Sequence, residues 1–286
     1  MEQIAIREWV DQNPNYRPFR QAVHTILTAV SGTPDLQTVM VMKGGVLLAL
    51  RYRSQRYTAD IDFSTEMRLR DFDLAAFRGA LEQSLTEAVE RLGYGLDCRV
   101  QSCKQSPPRA DATFPTIQVS LGYAYKDDRG AHKRLLTGRV ATTIRLDYSL
   151  NEPIGETDLF ELEEGHVIRT YSLVEMVAEK FRALLQQEVR NRVRRQDIYD
   201  LHYLLSEHPF RNDPLTRAGI LERLVAKARA RDLEVSSGAM ANPEIIRRSR
   251  AEYKNLASEI EGELPDFDRV YGVVEAFYRS LPWGQE

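Results

Sequence analysis

Apolar residues recur at helical spacing over residues 17–31 (Phe19, Val23, Ile26, Leu27, Val30), and Ser31-Gly32-Thr33-Pro34 closes that stretch. Val39-Met40-Val41-Met42 is a short apolar run that predicts a strand. It leads through a glycine turn, Lys43-Gly44-Gly45, into residues 46–50 at helix-like density. Residues 56–63 read as the next strand. Residues 71–92 (Phe72, Leu74, Phe77, Leu81, Leu85, Val89, Leu92) predict a long helix with Gly93 as its stop. The pattern then favours strands over 96–102, 116–125 and 139–149, with a turn at 126–130 between two of them. After Thr170 it is helical almost throughout, with candidates at 172–187, 196–206, 214–230, 243–260 and 266–280. Pro209, Pro214, Pro243 and Pro265 punctuate these segments. The shift predicts an α+β chain of two domains, a mixed-sheet domain over residues 1–165 and a mainly helical one over 166–286.

Composition adds few constraints. With 286 residues, 43% of them hydrophobic and 28% charged, the chain can bury a core. No apolar run approaches the length that crosses a bilayer, and the N-terminus lacks a basic-then-apolar signal pattern, so no membrane association is expected. Cys98 and Cys103 are too few for a disulfide framework and lack the neighbours of a zinc site, which points to the reducing cytoplasm. The net charge of -3 excludes global attraction to a polyanion. Any such contact must use local patches.

The chemistry concentrates in Arg56-Tyr57-Thr58-Ala59-Asp60-Ile61-Asp62-Phe63. Strand alternation places Asp60 and Asp62 on one face and turns Ile61 and Phe63 toward the other, where a core would hold the strand. Two carboxylates so close repel unless a cation lies between them. Hard oxygen ligands favour Mg²⁺. The glycine pair Gly44-Gly45 lets the backbone approach a ligand, and a helix opening there offers N–H groups to phosphate. Either signal alone is weak, since a glycine pair also makes an ordinary turn and an Asp-x-Asp an exposed edge. A third carboxylate strengthens the case, and Asp147 in Thr143-Ile144-Arg145-Leu146-Asp147-Tyr148-Ser149 is the best candidate, with a solvent-facing strand residue as the alternative.

A second cluster is helical. Val174, Val177, Phe181, Leu184 and Leu185 form a buried stripe with Lys180 beside it. Lys180 either snorkels to solvent or aims its ammonium at a phosphate. Asp197 either caps the next helix or joins the site. Asp200, one turn on, is placed to pair with Lys180. The basic residues at 190–195, 126–134 and 247–250 are candidates for a polyanion track or simply solvated stretches.

Together, in this order, Lys43-Gly44-Gly45-Val46-Leu47-Leu48-Ala49-Leu50, the Asp60-Ile61-Asp62 strand, the Asp147 segment, Glu179-Lys180-Phe181-Arg182-Ala183-Leu184 and Arg195-Gln196-Asp197-Ile198-Tyr199-Asp200-Leu201 resemble the AbiEii-like nucleotidyltransferase toxins. These are a branch of the DNA polymerase β-type nucleotidyltransferase superfamily. The resemblance spans residues 40–205 and implies a nucleotidyltransferase mixed-sheet domain followed by a helical domain. It implies Mg²⁺-dependent transfer of a nucleoside monophosphate from an NTP to an RNA acceptor, such as the tRNA 3′ end, and a cognate antitoxin. By position it assigns Asp60, Asp62 and Asp147 to the metal, and Lys43, Gly44, Gly45, Lys180 and Asp197 to the nucleotide. Lys180 falls on the family's functional lysine and Asp200 on its downstream aspartate. Many members carry Gly-Ser where this chain has Gly44-Gly45, so a serine contact is missing here. Two alternatives stay open: transfer to a protein hydroxyl, and a non-catalytic nucleotide-binding regulator.

Overall fold

Eight strands make one mixed sheet among residues 2–284, the part of the chain that this computed structural model describes. In chain order they are β1 Glu2–Gln3, β2 Val41–Lys43, β3 Asp60–Ser64, β4 Leu96–Ser106, β5 Thr116–Tyr125, β6 Thr143–Ser149, β7 Thr157–Glu161 and β8 Val167–Tyr171. Their spatial order is β1-β7-β8-β2-β3-β6-β5-β4. β3 runs antiparallel to β2 and parallel to β6, so it is covered on both edges. The chain divides into a sheet unit, residues 1–51 and 58–170, and a helical unit, residues 52–57 and 171–286.

In the sheet unit the alternation of β3, β5 and β6 sorts side chains onto two faces. Ile61, Phe63, Ile117, Val119, Leu121, Leu146 and Tyr148 lie on one face and are buried. Helix α2 (Arg17–Gly32) and helix α5 (Leu74–Leu92) cover that face, following α1 (Ile6–Asp11), α3 (Pro34–Gln37) and α4 (Gly44–Tyr52) in the count. Phe77 of α5 stacks on Tyr148 at 5.5 Å, and Gln21 of α2 accepts a hydrogen bond from Tyr125. Asp73 caps α5 by accepting from the Ala75 and Ala76 N–H groups, and Gly93 ends it at φ 64°.

The helical unit packs α7 (Leu173–Leu185), α8 (Arg195–Glu207), α9 (Pro214–Arg229), α10 (Pro243–Arg250) and α11 (Phe267–Arg279). Phe181 of α7 stacks on Phe277 and contacts Tyr278 of α11, with ring centroids 6.2 and 5.1 Å apart. Asp213 and Asn242 cap α9 and α10, each with a proline at the first helical position. No helix of the described residues is long and apolar enough to cross a membrane.

The structure departs from the pattern reading at four places. The segment after Lys126 is not a simple turn: helix α6 (Arg129–Leu136) forms there because Asp128 accepts from the Ala131 N–H and Leu135 buries against β4 and β5. The helix expected over 243–260 stops at Arg250. Ala251 is extended and Glu252 turns left-handed at φ 59° before a 3₁₀ turn, Tyr253–Ser258. The strand expected from Arg56 begins only at Asp60, because residues 52–57 join the helical unit. Short β1, β7 and β8 carried too few alternating positions to be read.

The buried side of β3 holds the aspartates in place, and this can be measured. Ile61→Ala should lower the stability of the sheet unit by ~2–5 kcal/mol, the cost of emptying a core site, while exposed Glu66→Ala should stay within ~0.5 kcal/mol. Urea denaturation of the two variants checks the contrast.

Candidate active site

β2 runs directly into α4 at Gly44, and the residue there must be glycine for two reasons. Its φ of 77° is left-handed, and a Cβ built on it would lie 2.1 Å from Oδ2 of Asp62. The backbone of the strand–helix junction is thus pressed against the Asp62 carboxylate. The start of α4 carries N–H groups with no partner inside the helix.

Register assembles the rest. Lys43 of β2 lies opposite Asp62 of β3, and Asp62 lies opposite Asp147 of β6. Asp60 lies opposite Arg145. Lys43, Asp60, Asp62, Asp147 and Arg145 therefore share one face across three adjacent strands. The register brings together Lys43, Asp60, Asp62 and Asp147, with Gly44 beside Asp62. Arg145 is the addition. Its guanidinium donates to Asp60 Oδ2, and its Nε lies 3.4 Å from Asp147 Oδ2. Partial burial pushes its pKa down, but Asp147, Asp60 and Asp62 outweigh this and the net shift is upward. Strand phase with Asp147 was the available signal for it.

Among the described residues no group of three or more His, Cys, Asp or Glu is disposed to hold a metal ion. In this arrangement Arg145 supplies the positive charge between Asp60 and Asp147. The donor chemistry still fits a hard cation. Three carboxylates face one way from neighbouring strands, and a guanidinium stands where a cation is needed.

The helical unit holds a separate buried cluster. Lys180 Nζ donates to Asp200 Oδ2 at 2.7 Å and Asp197 Oδ1 at 3.0 Å. Arg56 grips the same Asp200 with two bonds, Nε to Oδ1 at 2.8 Å and a terminal nitrogen to Oδ2 at 2.9 Å. Lys180 does not snorkel, because its side chain is only 10% exposed and its charge is paired inside. Asp197 does not cap α8 either; it sits in the first turn and turns its carboxylate to Lys180. Burial alone would raise the Asp200 pKa, but Arg56 and Lys180 hold it down to about 2. Burial likewise pushes Lys180 down, and Asp200 and Asp197 bring the net shift upward.

Arg56 was not assigned from the sequence. Its partner lies 144 positions away, so no local spacing betrays the pair. Residues 52–57 are pinned in the helical unit by a bridge between Arg56 and Ile260, by the Tyr57 N–H donating to the Glu259 carbonyl, and by the Tyr203 hydroxyl donating to the Tyr52 and Arg53 carbonyls. A second buried group, Glu175 with Arg223 and Lys227, also escaped the reading.

Gly44→Ala should lower stability by ~1–2 kcal/mol through the left-handed backbone alone, with the displaced Asp62 adding to that. Urea denaturation reads it, and an unchanged midpoint would contradict the close approach. Asp200→Asn should cost ~3–5 kcal/mol by stranding the charges of Arg56 and Lys180. Because the Asp200 pKa is depressed from 3.8 to about 2, its contribution is present above the higher value and is lost as pH falls through the lower. The stability of the unaltered protein should therefore drop over that interval, and the Asn variant should show a shallower drop in acid-denaturation curves.

Three comparisons bear on what carries this arrangement. A protein-family model described as nucleotidyl transferase AbiEii toxin, type IV toxin–antitoxin system, matches residues 25–273. Among solved structures, the chain is similar to MenT4, nucleotidyltransferase toxin Rv2826c from Mycobacterium tuberculosis H37Rv, at 15% identity and a TM-score of 0.54, covering 96% of this chain and 87% of that one. It is similar also to JHP933 from Helicobacter pylori, at 16% identity and a TM-score of 0.52, covering 93% and 91%. At these identities the two structures establish a shared fold. No curated protein sequence matches the chain. The family match extends from α2 into α11 and contains both charged clusters, so the chain belongs to the AbiEii family of nucleotidyl transferase toxins of type IV toxin–antitoxin systems.

Proposed function

We propose that the chain transfers a nucleoside monophosphate from an NTP to an RNA 3′-hydroxyl, that of a tRNA acceptor end, and releases pyrophosphate. The observation that carries this reading is the register Lys43–Asp62–Asp147 beside Gly44, which with Asp60 on the same face of β3 joins three carboxylates to the start of a helix. Asp60, Asp62 and Asp147 are assigned to Mg²⁺, which when bound lowers the pKa of the attacking hydroxyl and offsets charge on the reacting phosphorus. Gly44 and Gly45 offer backbone N–H groups to the triphosphate, and Lys43 adds a positive charge next to them. Lys180, Asp197 and Asp200 are assigned to the nucleotide-binding and catalytic set on their place in the family's motif, with Arg56 and Asp200 positioning Lys180. Catalysis of this kind rests on orientation and charge stabilisation. The family's toxin–antitoxin context supplies a cognate antitoxin as partner, and the reaction belongs in the cytoplasm, where NTPs and RNA are available.

The test is incubation of the purified protein with each labelled NTP, total RNA and cell protein, in Mg²⁺ and after chelation. Label should enter RNA 3′ ends and should need the metal. Asp62→Ala should fall to below ~1% of the unaltered rate, the scale expected when a group stabilising developing charge is removed, with its thermal transition retained. Label in the protein fraction alone would move the acceptor to a Ser, Thr or Tyr hydroxyl. No turnover with any NTP would refute the enzymatic reading.

A further inference from the structure

The acid-bearing face of the sheet continues beyond β6. Register sets Gln118 opposite Asp147, Ser120 opposite Arg145 and Gly122 opposite Thr143, so these β5 residues share the face of the carboxylates. β4 extends it, with Lys104 opposite Gln118 and Ser102 opposite Ser120. The other face is taken by α2 and α5, but this one carries polar side chains from β3 to the sheet edge. Helix α6 lies along its far margin. A Cβ at Gly122 would come within 2.5 Å of Val140 and 2.9 Å of Gln101, and Gln101 donates to the Leu135 carbonyl at 3.4 Å. Buried Leu135 holds the helix down, so its other sides are turned outward.

Those sides are cationic. Lys126, Arg129, Lys133, Arg134 and Arg139 are all exposed, as is Lys104 on β4. None of the six forms an ion pair with a described residue. Of the nearby acids, Asp97 is taken by Arg99 and His132, Asp128 is exposed but accepts the capping bond of α6, and Asp127 is exposed. The stretch at 247–250 is different, with Arg247 and Arg248 both paired with Glu244 and Arg250 with Asp268. In the stretch at 190–195, Arg195 is paired with Glu252 and Glu259 and Arg194 lies 3.9 Å from Asp197, which leaves Arg192 exposed among them. Basic residues matched by acids attract a polyanion far less than uncompensated ones.

We propose that α6 and the polar strip of β4 and β5 bind the phosphate backbone of the RNA acceptor and lead its 3′ end to Asp60, Asp62 and Asp147. The proposal rests on the RNA acceptor argued above. β4 stands two strands from β6, roughly 10 Å at ~4.8 Å per strand. Lys104 is the cation at that distance, level with Asp147, whereas the end of α6 lies by Gly122, four residues along β5 from Gln118 and so roughly 13 Å further at ~3.3 Å per residue. The cations therefore meet the backbone upstream of the reacting end, and Gln118, Ser120 and Ser102 offer hydrogen bonds along the way. Contacts of this kind position a strand without reading its sequence.

The experiment measures binding of fluorescent tRNA by anisotropy, without NTP, over a salt series. The protein carries Asp62→Ala throughout, so that binding is separated from turnover. Adding Lys133→Ala, Arg134→Ala and Arg139→Ala should weaken binding by about tenfold or more. It should flatten the slope of log K against log salt by about 2, at ~0.7 per single-strand phosphate contact. Arg247→Ala with Arg250→Ala is the comparison, and should leave both quantities nearly unchanged. In the otherwise unaltered enzyme the triple variant should raise KM for RNA and leave KM for NTP in place. Equal binding by the triple variant, when the parent binds tRNA, overturns this surface and leaves the acceptor assignment standing. If the parent binds no tRNA, the acceptor assignment fails and this surface with it. Loss of affinity for poly-glutamate with none for tRNA would give the surface to an acidic protein and also overturn the proposal.

Discussion

Burial of Ile61 and Phe63 on one side of β3 is the constraint from which the candidate active site follows. Both side chains are fully enclosed, and the strand is hydrogen-bonded on both edges. A shift of one residue would put Asp60 and Asp62 into that core and the two apolar side chains outside. The desolvation of two carboxylates makes such a slip prohibitive. The hydrophobic effect thus fixes where two like charges stand, although it acts on neither of them directly. Once they are fixed, the repulsion between them and Asp147 has to be offset, and Arg145 does so from the adjoining strand.

The helical unit solves a similar problem by the opposite route. Asp200 is fully enclosed, which penalises its charge, yet it remains ionised because Arg56 binds it through two parallel bonds and Lys180 through a third. A pair like this contributes modestly relative to an apolar core of the same shape, but removing one partner is costly. Its value is positional: the Lys180 side chain has one arrangement in which every charge is matched. Residues 52–57 take part in this because Arg56 reaches Asp200 only when that segment follows the helical unit instead of extending β3.

Much of this was legible in the chain. Asp60 and Asp62 could be placed because strand alternation is a local rule, and the long helices because capping residues and prolines bound clear apolar stripes. The pairing of Lys180 with Asp200 was readable for the same reason, since both lie on strongly periodic segments. What escaped depended on distant partners or on short elements. Arg56 sits in a motif that looks like strand, and only its pairing with Asp200 explains why it is not. α6 hides behind Lys126-Asp127-Asp128-Arg129-Gly130, whose composition favours a turn, while its single buried anchor, Leu135, gives no stripe to detect. The register that sets Asp62 between Lys43 and Asp147 pairs residues far apart in the chain, and alternation within one strand cannot reveal it.

The distribution of arginines and lysines separates structure from recognition more sharply than their number does. Most basic clusters in this chain are spent internally: Arg56 and Lys180 on Asp200, Arg195 on Glu252 and Glu259, Arg223 and Lys227 on Glu175, Arg247 and Arg248 on Glu244. With a net charge of -3, a polyanion gains nothing from the molecule as a whole. Attraction has to come from cations left over after internal pairing, and they must lie close enough together to act within a Debye length of ~8–10 Å. The exposed lysines and arginines of α6 and its flanks meet that requirement on the face that carries the carboxylates. Arg145 shares that face but is not one of them. It is half exposed and paired with Asp60 and Asp147, so its charge is spent on holding like-charged side chains together on one face of the sheet.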